Sequence, residues 1–189
     1  MRWLWRRKSD YISELIDIEN NTESMFIKIS LHNNKSLIVG SIYRPPNSDI
    51  NYMEKIKSTV DNVWRKNRTS VVWLGGDINL PDICWKTQFI NGHQNALRIN
   101  STFLKLVQDN HLEQVVTFPT RKDHMLDLLL TSRPSLVNQC EPLPGIGDHD
   151  IVYIDSDITA KINKPVKRKI FFWKKAIITE QAEKARKMN

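Results

Sequence analysis

Cysteine is nearly absent from this chain of 189 residues, which has only Cys84 and Cys140. Neither has another Cys or a His close by at zinc-site spacing. The pair is therefore expected to be two reduced, partly buried thiols, and a disulfide scaffold is excluded. Long apolar runs are also missing. The longest fall well short of the roughly 18–20 residues that cross a bilayer, so no membrane partner is expected. Met1-Arg-Trp-Leu-Trp-Arg-Arg-Lys8 has no apolar core of signal-peptide length. Repeats and low-complexity tracts do not occur. What is present, 40% hydrophobic and 26% charged residues, suits a folded chain with a single core and a tail. An intracellular protein is the expectation.

The net charge is +7, but it is unevenly spread. Residues 161–189 hold ten Lys/Arg against two Glu, and residues 1–8 hold four basic residues and no acid. The body between them carries −5. Basic ends on an acidic body can steer polyanions, and they are equally what a solvated linker looks like.

Met25 to Leu31 alternates, with Met25, Ile27, Ile29 and Leu31 on one face and Phe26, Lys28 and Ser30 on the other. That period predicts a half-buried strand. A turn over 32–35 leads into a return strand, Leu37 to Tyr43, which Pro45-Pro46 ends. Met53, Ile56, Val60 and Val63 recur at helical spacing between Asn51 and Trp64, as do Ala96, Ile99, Phe103 and Val107 between Asn95 and Asn110. Val71-Val-Trp-Leu74 is apolar throughout, as a strand covered on both faces should be. Further strands are expected at 115–118, 126–131 and 151–154, and a short polar helix from Thr179. The first 24 residues offer no strand. Strands that alternate with helices and also form a hairpin point to an α/β fold with a mixed sheet.

Four segments place polar residues where a strand should end: Tyr43-Arg44, Gly75-Gly-Asp77-Ile-Asn79, Leu126-Asp127-Leu128 and Gly147-Asp148-His149. Asp77 and Asn79 lie two apart, so on extended backbone they share a side and could hold one water between them. The preceding glycines would leave room for a substrate backbone. The competing reading is a strand-to-loop turn capped by Asx side chains. Asp127 is a lone acid in an apolar run, which is costly without a partner. That partner could be a core Arg, a backbone amide, or a histidine whose tautomer it sets. Asp148 could ligate a hard cation, and His149 could donate to a phosphate. His32, His93, His111 and His124 are expected at turns or on the surface.

Taken in order, these segments resemble the endonuclease/exonuclease/phosphatase family. Tyr43-Arg-Pro-Pro-Asn47, Gly75-Gly-Asp-Ile-Asn-Leu-Pro-Asp82 followed by Trp85, Pro119-Thr-Arg121 before Leu126-Asp-Leu128, and Leu143-Pro-Gly145 before Asp148-His149 resemble one branch. That branch is the apurinic/apyrimidinic-like endonuclease domain of non-LTR (LINE, jockey-like) retrotransposons, and the resemblance covers about residues 20–160. It implies a four-layered sandwich of two mixed β-sheets flanked by helices. It also implies Mg²⁺- or Mn²⁺-dependent hydrolysis of DNA phosphodiesters, a nuclear location and no small-molecule cofactor. Asp77 would activate water that Asn79 holds. His149 would contact the phosphate, oriented by Asp127, with Tyr43 hydrogen-bonding the same group. Asp148 would bind metal, and Arg44 and Arg121 would contact phosphate.

The sequence departs from the family in two places. The family has Ser where this chain has Gly147, and nothing before Tyr43 supplies the family's Asn-bearing strand or its metal-binding Glu. The expectation is an N-terminally truncated domain that lacks the first strands of the fold, and is inactive if that Glu is indispensable. Its parts would be an ill-defined segment 1–24, the domain 25–158 and a basic linker with a short helix over 159–189. The alternative function is non-catalytic nucleic-acid binding through the basic tail.

Overall fold

The apolar run at Val71–Asp77 forms the strand at the centre of the fold. The computed structural model describes residues 11–18 and 22–162. The strand β2 (Glu23–Ser30) runs antiparallel to both its neighbours, β1 (Ser13–Ile16) and β3 (Ser36–Tyr43). Helix α1 (Ile50–Lys66) then crosses over to β4 (Val71–Asp77), which lies parallel to β3. A small hairpin of β5 (Ile83–Cys84) and β6 (Phe89–Ile90) follows, then helix α2 (Leu97–Asp109) and the short β7 (Glu113–Gln114). Next come β8 (Asp127–Thr131), β9 (Val137–Leu143) and β10 (Ile151–Ser156). The main sheet is mixed, in the order β1-β2-β3-β4-β8-β7, and β9 and β10 form a separate antiparallel pair.

Both helices form where the apolar spacing requires them. Met53, Ile56, Val60 and Val63 of α1 are all buried, as are Ile99, Phe103 and Val107 of α2. They pack on one sheet face, against Phe26, Ile38, Ile42, Leu74 and Leu130. The Asp49 side chain caps α1 by accepting from the Tyr52 amide at 2.9 Å, a contact worth about 1 kcal/mol. The alternate residues Val39, Ser41, Trp73 and Leu129 face the other way, towards Val152 and Ile154 of β10. The sheet is thus covered by helices on one side and by the β9–β10 hairpin on the other. Among the described residues, that hairpin alone stands for the second sheet, and no α-helix lies outside it.

Four details differ from the sequence reading. A strand does occur before residue 24: β1 pairs along β2, and its Glu14 reaches Lys28 at 3.3 Å. Its short Ser-Glu-Leu-Ile sequence is too brief for periodicity to register. In β2 the core residue is Phe26, whereas Met25 is 52% exposed, so the larger ring of the shorter apolar set takes the interior. The expected strand at 115–118 is only the two residues of β7, just upstream, with Val115 adding one amide bond to the Leu129 carbonyl at 3.0 Å. Strand β9 gave no signal because its alternation is broken by Asn138, Gln139 and Pro142. The helix expected from Thr179, most of the basic linker and residues 1–10 lie outside the described residues.

Candidate active site

Strands β4 and β8 are antiparallel, with Asp77 directly opposite Asp127. Cross-strand partners share a face, so two carboxylates emerge side by side where the strands end. Like charges so placed repel, and this pair needs a compensating cation. The loop that enters β10 brings a histidine to the pair, because β10 covers that same face. His149 Nδ1 lies 2.6 Å from Asp127 Oδ2, and both side chains are almost wholly buried. Potential ligand atoms of Asp77, Asp127 and His149 all fall within 4.8 Å of one another.

Asp77 is itself buried, at 5% exposure. Burial raises its pKa above the usual 3.8, the Asp127 charge adds to the rise, and His149 and hydrogen bonds from Asn79 work against it. Its Oδ1 has no hydrogen-bond partner among the described residues. A desolvated carboxylate with one free oxygen is suited to accept a proton from water or to bind a hard cation. The Asp127–His149 pair resolves the choice left open for Asp127: its partner is the histidine, whose tautomer and orientation it fixes.

The glycine preceding Asp77 has a different role from the one expected of it. Gly76 has φ 153°, and a Cβ there would lie 1.7 Å from the Ile42 carbonyl oxygen. The room it leaves is taken by this chain's own β3, and no substrate backbone could enter. The close approach lets the Arg44 amide donate to the Asp77 carbonyl at 2.9 Å, which fixes the strand end carrying the carboxylate. Gly145 acts similarly on the other side, since a Cβ there would meet the His149 carbonyl at 1.7 Å.

Asn79 takes the turn-capping part that its motif offered. It sits at φ 52°, a conformation Asn tolerates better than most residues. Its Nδ2 donates to the Arg44 carbonyl at 3.0 Å, as an Asx-type anchor does. Arg44 itself requires a correction. Expected to touch phosphate, it is fully buried, and its guanidinium donates to the backbone carbonyls of Asn79 (3.1 Å) and Ser48 (3.1 Å) and to Asn95 Oδ1 (3.0 Å). It is a positioning residue for the loop that bears Asn79. Tyr43 is half-buried at the end of β3, and its carbonyl accepts from the Tyr52 hydroxyl at 3.4 Å.

Asp148 and Arg121 pair with each other at 2.6 Å on the exposed rim. The Asp148 carboxylate, expected to bind metal, is not one of the three groups gathered at the strand ends. Arg121 instead lines a cleft of about 380 Å³ beside Asn79, together with Asn47, Asn95, Lys122 and His124.

Two residues that hold the site were not singled out by the sequence reading. Thr120 is buried, and its Oγ1 accepts the amides of Leu126 (3.1 Å) and Asp127 (3.0 Å). Its carbonyl accepts the Asp150 amide at 2.7 Å, so one threonine ties the start of β8 to the His149 loop. Asp82 is also buried and accepts from the amides of Gln94 (2.9 Å) and Asn95 (2.7 Å) and from Asn100 Nδ2 (3.1 Å). Nearby, Trp85 packs edge-on to Phe103, with ring centres 6.1 Å apart. The signal for these anchors was the motif itself: Pro119-Thr-Arg121 and Leu80-Pro-Asp82 carry scaffold residues alongside reactive ones.

A mixed sheet that gathers an Asp and an Asp–His pair at its strand ends defines the exonuclease/endonuclease/phosphatase fold, a scaffold for phosphodiester hydrolysis. The chain belongs to the endonuclease-reverse transcriptase family, whose model matches residues 37–153, more than half of its length. Among solved structures it is similar to the 3′-5′ exonuclease NExo from Neisseria meningitidis. The two are 13% identical, with a TM-score of 0.53 over 78% of this chain and 72% of that one. It is also similar to the 3′ phosphatase NExo from Neisseria bound to a product DNA hairpin. There the identity is 12% and the TM-score 0.51, over 78% of this chain and 71% of that one. At such identities the likeness is one of fold. A search of curated proteins gives no match.

Proposed function

We propose that this chain is a DNA-nicking endonuclease domain of retrotransposon origin that hydrolyses phosphodiesters with Mg²⁺ or Mn²⁺. The observation that carries the reading is the convergence of Asp77, Asp127 and His149. Asp77 takes a proton from a water that Asn79 helps to orient. The water oxygen bonds to phosphorus as the bond from phosphorus to the 3′ oxygen breaks; that oxygen takes a proton from solvent, leaving a 3′-hydroxyl and a 5′-phosphate. When its ring is protonated, His149, held through Nδ1 by Asp127, can donate from its other ring nitrogen to the phosphate, where negative charge builds. Tyr43 and Arg121 flank the phosphate path.

The donor set suits a hard cation in part. Asp77 offers the unpartnered Oδ1, and Asp148 offers a second carboxylate on release from Arg121. A divalent ion held by these residues would supply positive charge for the leaving oxygen.

The test is nicking of supercoiled plasmid by the full chain with Mg²⁺ or Mn²⁺. Asp77→Asn and His149→Ala should each lower the rate by at least about a hundredfold, and chelation should abolish it. Cleavage that persists in chelator, or that survives both substitutions, rules the reading out. The alternative of binding without catalysis through the basic tail concerns residues mostly outside those described. It predicts DNA affinity that vanishes when residues 161–189 are deleted.

A further inference from the structure

The far end of the main sheet carries a cleft of about 700 Å³ with no part in the chemistry above. It opens where β4 begins and β8 finishes, beside Ser70, Val71 and Ser132. Asp77 closes β4, a strand of seven residues, so the two regions lie roughly 20 Å apart. Lys35 from the turn before β3, Arg68 after α1 and Arg133 after β8 all line it, with His32 and His111.

Lys35, Arg68 and Arg133 are exposed, and among the described residues none makes a side-chain hydrogen bond or ion pair. The single acid on the cleft wall, Asp157, is hydrogen-bonded by Asn138 Nδ2 at 2.7 Å. Trp64, Arg68 and His111 continue into an adjoining cleft of about 520 Å³. The acids there, Asp61 and Asp109, are both held by Lys57, at 2.7 and 2.8 Å. Three free cations from three separate loops therefore converge on an open surface whose acids are already engaged. The body of this chain is acidic overall, which makes such a concentration of unpaired positive charge stand out. This chain's own tail is a poor occupant, because residues 161–189 hold ten basic residues and two acids.

We infer that this cleft is a second nucleic-acid site, in which Lys35, Arg68 and Arg133 bind successive backbone phosphates away from the cutting centre, with Trp64 at the junction of the two clefts. A repeating polyanion matches cations spread over both clefts better than a single small anion does. The inference shares its substrate class with the proposed function but does not depend on catalysis by Asp77.

The test measures binding of a short fluorescein-labelled DNA duplex to the full chain by anisotropy, in chelator, across a salt series. Lys35→Ala/Arg68→Ala/Arg133→Ala should weaken binding and reduce the slope of log K against log salt by about 2.7, roughly 0.9 for each phosphate contact. Lys55→Ala/Lys86→Ala/Lys105→Ala removes the same charge from exposed positions outside the cleft and should leave most of the affinity. Equal losses in the two variants, or no loss in the first, overturn the inference. Circular dichroism checks folding, and Arg68→Gln alone, expected to reduce the slope by about 0.9, serves if the triple variant does not fold. Binding is read in chelator, where nothing is cut, so the outcome stands whether or not Asp77 supports nicking.

Discussion

At the scale of the residue, the chemistry turns on one carboxylate placed where it is uncomfortable. Asp77 is buried opposite Asp127, and its pKa is raised by burial and by that neighbour. An acid whose pKa rises on folding holds its proton more tightly in the native state, so ionisation works against the fold. The penalty is absent below about the free value of 3.8, grows as pH increases, and is complete above the raised native value. Asp77→Asn should therefore melt above the wild type near neutral pH, with the gap closing as pH falls towards 3.8. A variant that melts at or below the wild type across that window contradicts this account. Asp77 and Asn79 were legible in the sequence because they follow an apolar run, Asp127 because it interrupts one, and His149 because its Asp-His pair follows a loop signal. Arg44 was misread because the family resemblance makes a cation beside reactive residues look like a phosphate ligand until its burial is seen.

At the scale of the element, what aims these side chains is the meeting of β3 with β4. Gly76 permits it, since any Cβ there would strike the Ile42 carbonyl. Gly76→Ala should cost on the order of 1–3 kcal/mol from the backbone conformation alone, more with the collision, and should abolish nicking. Gly147 is the contrasting case, because nothing lies within 4 Å of a Cβ placed there. Gly147→Ser should stay within about 0.5 kcal/mol of the wild type in urea unfolding. Equal costs for the two would refute the distinction. Long amphipathic elements such as α1 and α2 were readable because their burial repeats along the chain. The short β1, β5 and β6 were not, since their place depends on partners remote in sequence. Strand β9 was hidden because exposed polar residues and a proline interrupt its pattern.

At the scale of the whole molecule, function and candidate binding surface occupy opposite ends of one sheet. Only the end that carries Asp77, Asp127 and His149 was visible in the sequence; the cationic cleft is assembled from three loops that no local motif connects. The pairing of β4 with β8 also bears on the order in which the molecule is built. Helix α1 and the strands around it close short loops, whereas Asp77 meets Asp127 only after the whole stretch from 77 to 127 has folded back, and His149 must then arrive. Distant pairings of this kind form late because the entropy of loop closure is lost before the contact is gained. On dilution from denaturant, the helical signal should return before nicking competence does; a single shared rate constant would argue otherwise. A chain still emerging from synthesis would then carry formed helices beside an open carboxylate cluster, which would stay incomplete until residue 149 had joined the fold.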